Sequence, residues 1–237
     1  MKKILLLLAL LTLLSVGAVC AADDEFILEE DPFAEEEVAP IADPLESVNR
    51  GIFWVNDKLY VFLFKPVARG LRVVPEPIRI STSNVFSNLG TPVRAVNNLL
   101  QLKIVDTLGE ITRFIVNSTI GIAGLFDPAA AMGVPKKEED FGQTLGHYGI
   151  GQGFYLVLPV LGPSSLRDGV GRVGDYFADP LTYLLSQEEL LALRTAEKET
   201  ELSLDKDTYD KIRKHELDPY LFVRNAYIQL RAAEVEK

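Results

Sequence analysis

The stretch from Asp140 to Asp168 reads DFGQTLGHYGIGQGFYLVLPVLGPSSLRD, a glycine-rich run with almost no charge until it closes on Arg167-Asp168. Glycine costs chain entropy inside a helix or strand unless a close backbone approach or an unusual dihedral offsets it. Such a density of Gly beside Leu, Val and Phe points to backbone pressed against something apolar.

The N-terminus constrains the compartment. Lys2 and Lys3 precede the apolar stretch Ile4 to Leu14, and small residues follow at Ser15, Gly17, Ala18, Ala21 and Ala22, the layout of a secretory signal peptide over residues 1–22. The apolar stretch ends too early at Asp23-Asp24 for a spanning helix, which needs roughly 20 apolar residues. Cys20 is the only cysteine, so no internal disulfide can form. Its place at the end of the signal suggests a lipoprotein anchor with cleavage before it, although Val19 is branched where a small residue is expected. Cleavage after Ala21 or Ala22 would discard it, and both alternatives stand.

Residues 23–42 carry nine acidic side chains and no Lys or Arg, with Pro32 and Pro40. Like-charge repulsion predicts an extended, solvated tether. It accounts for most of the net charge of -10, because residues 43–185 hold 13 basic and 13 acidic side chains. A neutral body without clustered Lys and Arg argues against nucleic acid as a partner.

The remaining residues suffice for one domain, read as a neutral helical part over 43–185 and charged C-terminal helices over 186–237. Asp43-Pro44, Thr91-Pro92, Asp127-Pro128, Asp179-Pro180 and Asp218-Pro219 each set an N-cap type residue before a proline at the first helical position. Strand alternation is weak, so the expected fold is all-α. A first helix over about 44–64 is apolar nearly all round, and the polarity that remains is narrow, with Asn49-Arg50 repeated seven residues on as Asn56-Asp57. Such a helix is buried in a core or exposed to lipid. A second helix over about 103–118 aligns Ile104, Leu108, Ile111 and Ile115 on one row and Asp106, Glu110, Arg113 and Asn117 on another. The polar row reads first as an ordinary solvated face and second as a channel lining. The runs Ile120 to Phe126 and Phe154 to Leu161 are too short to span a bilayer as helices. QEELLALRTAEKETE and DKIRKHE mix both charge signs and predict wet helices, with Glu199 on an exposed face.

DPLESVNR at 43–50, RFIVNSTIGIAGLFD at 113–127, FGQTLG at 141–146 and LDPYLFVRNAYIQLR at 217–231 occur in one colinear order. With these blocks the chain resembles the MlaA/VacJ family of outer-membrane phospholipid-transport proteins. The resemblance implies a ring of short amphipathic helices within the periplasmic leaflet of the Gram-negative outer membrane, around an amphipathic channel, with the charged C-terminal helices facing the periplasm. It also implies a lipid anchor at Cys20, removal of mislocalised phospholipid from the outer leaflet, a trimeric porin and a periplasmic lipid carrier as partners, and no cofactor. Candidate lipid or channel contacts are Asn49, Arg50, Asn117, Phe141, Gln143, Thr144, Phe154, Leu158 and Arg167. Arg50, Arg167 or Arg172 would suit a head-group phosphate, but Asp168 and Asp175 offer simpler partners. Tight helix packing would equally explain the FGQTLG block.

Enzyme signatures are few. Gly162-Pro163-Ser164-Ser165-Leu166 does not supply the G-x-S-x-G nucleophile elbow of lipases. His147 and His215 are the only histidines and stand in no metal-ligand spacing. A porin-associated structural lipoprotein is the main rival reading, and a phospholipase the third.

Overall fold

A computed structural model describes residues 43–237. The signal peptide, Cys20 and the tether lie outside the described residues. Helix α1 (Glu46–Leu59) continues through a π-helical turn (Tyr60–Phe64) into α2 (Lys65–Leu71), followed by α3 (Glu76–Leu89), α4 (Thr91–Leu100), α5 (Ile104–Thr119), α6 (Pro128–Ala131) and α7 (Phe141–His147). A two-stranded hairpin, β1 (Tyr155–Leu158) and β2 (Gly162–Ser165), leads into α8 (Leu166–Ala178), α9 (Leu181–Leu184), α10 (Gln187–Leu204), α11 (Thr208–His215) and α12 (Pro219–Val235).

Local chemistry sets several of these starts. Asp127 accepts from Ala130 N, Asp179 from Leu181 N, and Asp218 from Tyr220 N and Leu221 N, each satisfying amides that a helix leaves free at its N-terminus. Ser186 and Glu189 form a reciprocal capping box on α10, and Ser165 caps α8. Two of the expected caps are absent for tertiary reasons. Asp43 is drawn to Asn49, Tyr220 and Arg224, tying the start of the domain to α12. Thr91 follows α3 directly at a tight corner, and its hydroxyl donates back to Ser87 O.

The hairpin is an addition to the all-α expectation. Tyr155 stands opposite Ser165 and Leu158 opposite Gly162 in an antiparallel pair. Tyr155 and Val157 point inward with Tyr220, against Ile52, Phe53, Leu221, Tyr227 and Ile228. The free edge of β1 is satisfied by side chains of α1. Asn49 Nδ2 donates to Tyr155 O at 3.0 Å while Asn49 Oδ1 accepts from Val157 N at 2.9 Å. Two helical turns later Asn56 repeats the arrangement with Leu158 O and Val160 N. The neighbouring charges pair with the C-terminal helices: Arg50 with Asp218, and Asp57 with Arg213 and Tyr209. The seven-residue polar repeat is thus a docking stripe.

The larger finding is an inverted distribution of polarity. Among the described residues, five apolar side chains are buried against 22 polar or charged ones, the reverse of an ordinary soluble interior. On α5 the row Ile104, Leu108, Ile111, Ile115 is 44–58% exposed, while Glu110, Arg113 and Asn117 of the polar row, with Thr107 beside them, are 0–6% exposed and Asp106 at its start stays partly exposed beside Lys137. The reading of this polar row as a solvated face is overturned. Trp54, Phe62 and Leu63 on the first helix, Leu99 and Leu100 on α4, and Leu125 and Phe126 beyond α5 are exposed as well. No described helix is long and apolar enough to cross a membrane.

The C-terminal helices deliver their own corrections. Arg72 and Arg79 from the α2–α3 corner donate to the carbonyls of Ser203 and, for Arg72, Asp205, capping the C-terminal end of α10 where carbonyls lack helical partners. Glu199 is not on a wet face: it is buried, one carboxylate oxygen lacks a partner, and burial pushes its pKa up.

Candidate lipid-handling site

The buried polar side chains of α4 and α5 pair with one another and with the segments that follow α5. Arg94 Nε donates to Glu110 Oε2 at 2.8 Å, and the other carboxylate oxygen accepts Lys137 N at 2.7 Å. The remaining Arg94 donors go to Ser87 O and Thr91 Oγ1. After α5 the chain reverses through Ile122, Ala123 and Gly124, all at positive φ. This reversal returns Asp127 to the helix it has just left. Asp127 Oδ2 accepts Arg113 Nη2 at 2.7 Å, and Asp127 Oδ1 accepts Asn117 Nδ2 at 2.9 Å. Burial opposes ionisation of Asp127, but these bonds and the one from Ala130 N outweigh it and hold the carboxyl below its usual range.

Between α3, α5 and the 127–136 segment lies an open cavity of about 400 Å³ of mixed lining, with Ser83, Asn84, Ser87, Arg113, Asp127 and Lys136 on its polar side and Ala130, Val134 and Pro135 on its apolar side. Behind it, Asn88, Thr91, Arg94 and Asn117 line a much smaller void. Asn88 Oδ1 and Arg113 Nε, both enclosed here, have no protein partner.

A second polar cluster joins α7, α8 and α12. Arg231 donates to both oxygens of Asp140 and both of Asp168, and Tyr227 donates its hydroxyl to Asp168. Burial raises the Asp168 pKa, but bonds from Arg231 and Tyr227 prevail and hold it down to about 2. Asp175 behaves oppositely: burial and then the negative field of Asp140 push it up to about 6, against the opposing bonds from Asn97 Nδ2 and Phe141 N. Between α4 and α7, Thr144 Oγ1 donates to Asn97 Oδ1, and Gln101 Nε2 reaches Thr144 and Glu139.

The glycine density finds its reason at this junction. A Cβ on Gly171 of α8 would lie 2.5 Å from Gly142 N of α7, and one on Gly174 would strike the Phe141 ring. The two helices cross at backbone distance, which only glycine permits.

A pH dependence follows from Asp175. Because its folded pKa is raised above the ordinary 3.8, the penalty on the folded state is absent below about 3.8, grows as pH rises, and is complete above about 6. The penalty at pH 8 is on the order of 2 kcal/mol after discounting for partial exposure. Asp175→Asn, which keeps an acceptor for Asn97 and Phe141, is expected to raise the thermal midpoint most at pH 8, less at pH 5, and hardly at all below the ordinary carboxylate value of 3.8. Equal shifts at all three would contradict this assignment.

The candidate residues named from sequence fall in three places. Asn49, Arg50, Phe154 and Leu158 gather where α1 meets the hairpin; Phe154 and Leu158 are half-buried, and Leu158 O accepts Asn56. Phe141, Gln143, Thr144 and Arg167 meet at the α7–α8–α12 junction, where Arg167 is enclosed and paired with Asp168 at 3.1 Å. Asn117 alone lies at the polar void behind the cavity. Sequence reasoning passed over Ser83, Asn84, Ser87, Arg94, Asp127 and Lys136. The signal for α3 was present in the spacing of Ser83, Asn84, Ser87, Asn88 and Thr91, which places small polar groups on one helical face.

Residues 41–234 match the family model described as MlaA lipoprotein. The chain is 37% identical over 196 residues to the intermembrane phospholipid transport system lipoprotein MlaA of Escherichia coli, covering 79% of this chain and 76% of that protein. It is 32% identical to an uncharacterised protein of Rickettsia conorii, over all of this chain and 95% of the other. A solved structure described as a structural basis for maintenance of bacterial outer membrane lipid asymmetry superposes with a TM-score of 0.74 at 34% identity, over 82% of this chain and 99% of that one.

Proposed function

The chain belongs to the MlaA lipoprotein family, and on that premise we propose that it is the outer-membrane component of a phospholipid-transport system. It removes mislocalised phospholipid from the outer leaflet, passes it to a periplasmic carrier and so maintains lipid asymmetry. The observation that carries this reading is the reversed burial of α5, with Glu110, Arg113 and Asn117 inside and Leu108, Ile111 and Ile115 outside. A phospholipid leaving a bilayer needs its charged head solvated while surrounding lipid is kept out. A body apolar outside and polar inside meets both needs.

The site of action is the outer membrane of a Gram-negative envelope. We place the apolar belt in its periplasmic leaflet, with Cys20 as the lipid anchor after removal of the signal, residues 23–42 as a tether, and the charged helices after residue 186 towards the periplasm. A trimeric porin is the expected neighbour in the membrane. Asn117 belongs to the polar path, Phe154 and Leu158 face lipid or the channel, and Asn49, Arg50, Phe141, Gln143, Thr144 and Arg167 hold the elements around it. Passage of an intact lipid requires neither cofactor nor nucleophile, so the reading is of a transporter and not of a phospholipase.

Deleting the gene in its host is expected to raise surface-exposed phospholipid, and the intact protein to reverse it. Unchanged surface phospholipid in the deletion strain, with porin assembly impaired, would favour the structural reading. Fatty acid released from phospholipid by the purified protein would favour the enzyme.

A further inference from the structure

Resting on the transport reading, we infer that the open cavity between α3 and the 127–136 segment is a binding subsite for the phosphodiester of a phospholipid head group, and that Lys136 is the cation that meets it. About 400 Å³ is at the small end of ligand pockets, room for a glycerophosphate head and too little for two acyl chains. Its walls supply neutral donors in Ser83, Asn84 and Ser87, suited to phosphate oxygens.

Three charged groups line the cavity, and their bonds separate their roles. The charge of Arg113 is compensated: its Nη1 donates to Val134 O and its Nη2 to Asp127, and only the enclosed Nε is without a partner. Asp127 is likewise compensated, accepting from Arg113, Asn117 and Ala130. Lys136 is not: its side chain is 35% exposed, and its partner Glu138 is 72% exposed. An ion pair this exposed contributes little, and Glu138 can return to water at small cost while Lys136 turns to a phosphate. With Arg113 and Asp127 cancelling, one positive charge remains for the single negative charge of a phosphodiester. Leu125, Phe126 and Met132 nearby in the chain are exposed and apolar, the surroundings acyl chains require.

The test uses the full chain purified in a phosphate-free detergent and a short-chain phospholipid, dihexanoyl phosphatidylglycerol, as the probe in titration calorimetry. Lys136→Gln is expected to weaken binding about tenfold, as for loss of a charged hydrogen bond, with Lys136→Arg close to wild type. Lys137→Gln, whose amine faces Asp106 instead, is expected to bind like wild type. Lys136 is half-exposed, so its variants are expected to fold, which the thermal midpoint checks. Binding by Lys136→Gln equal to wild type would overturn the subsite and leave the transport reading standing. Inorganic phosphate competing as well as the lipid would overturn the head-group assignment in favour of a free-anion site. Failure of wild type both to bind the probe and to clear surface phospholipid in cells would overturn the subsite and the transport reading together.

Discussion

Glu110→Ala is expected to destabilise the folded protein by about 3–5 kcal/mol, the range for removing one partner of a buried ion pair. Glu110 is fully enclosed, and its two oxygens hold Arg94 Nε and Lys137 N. Truncation leaves the Arg94 guanidinium without its counter-charge and the Lys137 amide without its acceptor in a largely closed interior. Ile111→Ala, one position along the same helix, is expected to cost less than about 1 kcal/mol, because that side chain already faces outward. In a water-soluble helix the order would be reversed. Unfolding of both variants in the same detergent compares them, and a larger loss for Ile111→Ala would contradict the inverted architecture.

Arg231→Ala is expected to have an effect of similar size, again about 3–5 kcal/mol. Arg231 is the clamp between α12 and the α7–α8 pair through Asp140 and Asp168. Its loss also changes the acid response. With a folded pKa of about 2, Asp168 contributes stability that is present above the ordinary carboxylate value near 3.8 and is lost as pH falls towards 2. Without Arg231 the burial of Asp168 dominates and raises its pKa, so that contribution is expected to disappear at near-neutral pH as well. Arg231→Lys keeps the charge but not the four-oxygen grip, and should recover only part of the loss. Thermal midpoints of the variants between pH 3 and pH 7 measure both effects, and Arg231→Ala unfolding with the wild-type midpoint and pH profile would refute the clamp.

Periodicity exposed both rows of α5 but not which one faces inward. A helix at a water interface and a helix at a lipid interface have the same spacing of polar and apolar residues; the surrounding solvent decides the orientation, and no spacing encodes it. The colinear family blocks identified the membrane context where periodicity was silent. Asp127, Asp179 and Asp218 were readable as caps because their bonds are local, whereas Asp43 and Thr91 were diverted by partners that only folding supplies. The Asn49–Asn56 repeat was visible, but its purpose was not, since the β1 edge it satisfies lies about 100 residues away. A four-residue strand is too short to register as alternation. The burial of Glu199 is not legible in the sequence, because a helix of mixed charge has the pattern of a wet one, although the face of α10 that packs on α2 and α3 is enclosed.

Whether the outside of this body meets acyl chains can be read directly, because the chain carries its own reporter. Trp54 is the single tryptophan, 61% exposed on α1, with Lys58 over its ring as at a membrane interface. In liposomes reconstituted with the full chain, phospholipids brominated in the upper acyl chain are expected to quench Trp54 strongly, while aqueous iodide quenches it weakly. Strong quenching by iodide with none by the brominated lipids would place this surface in water and contradict the account.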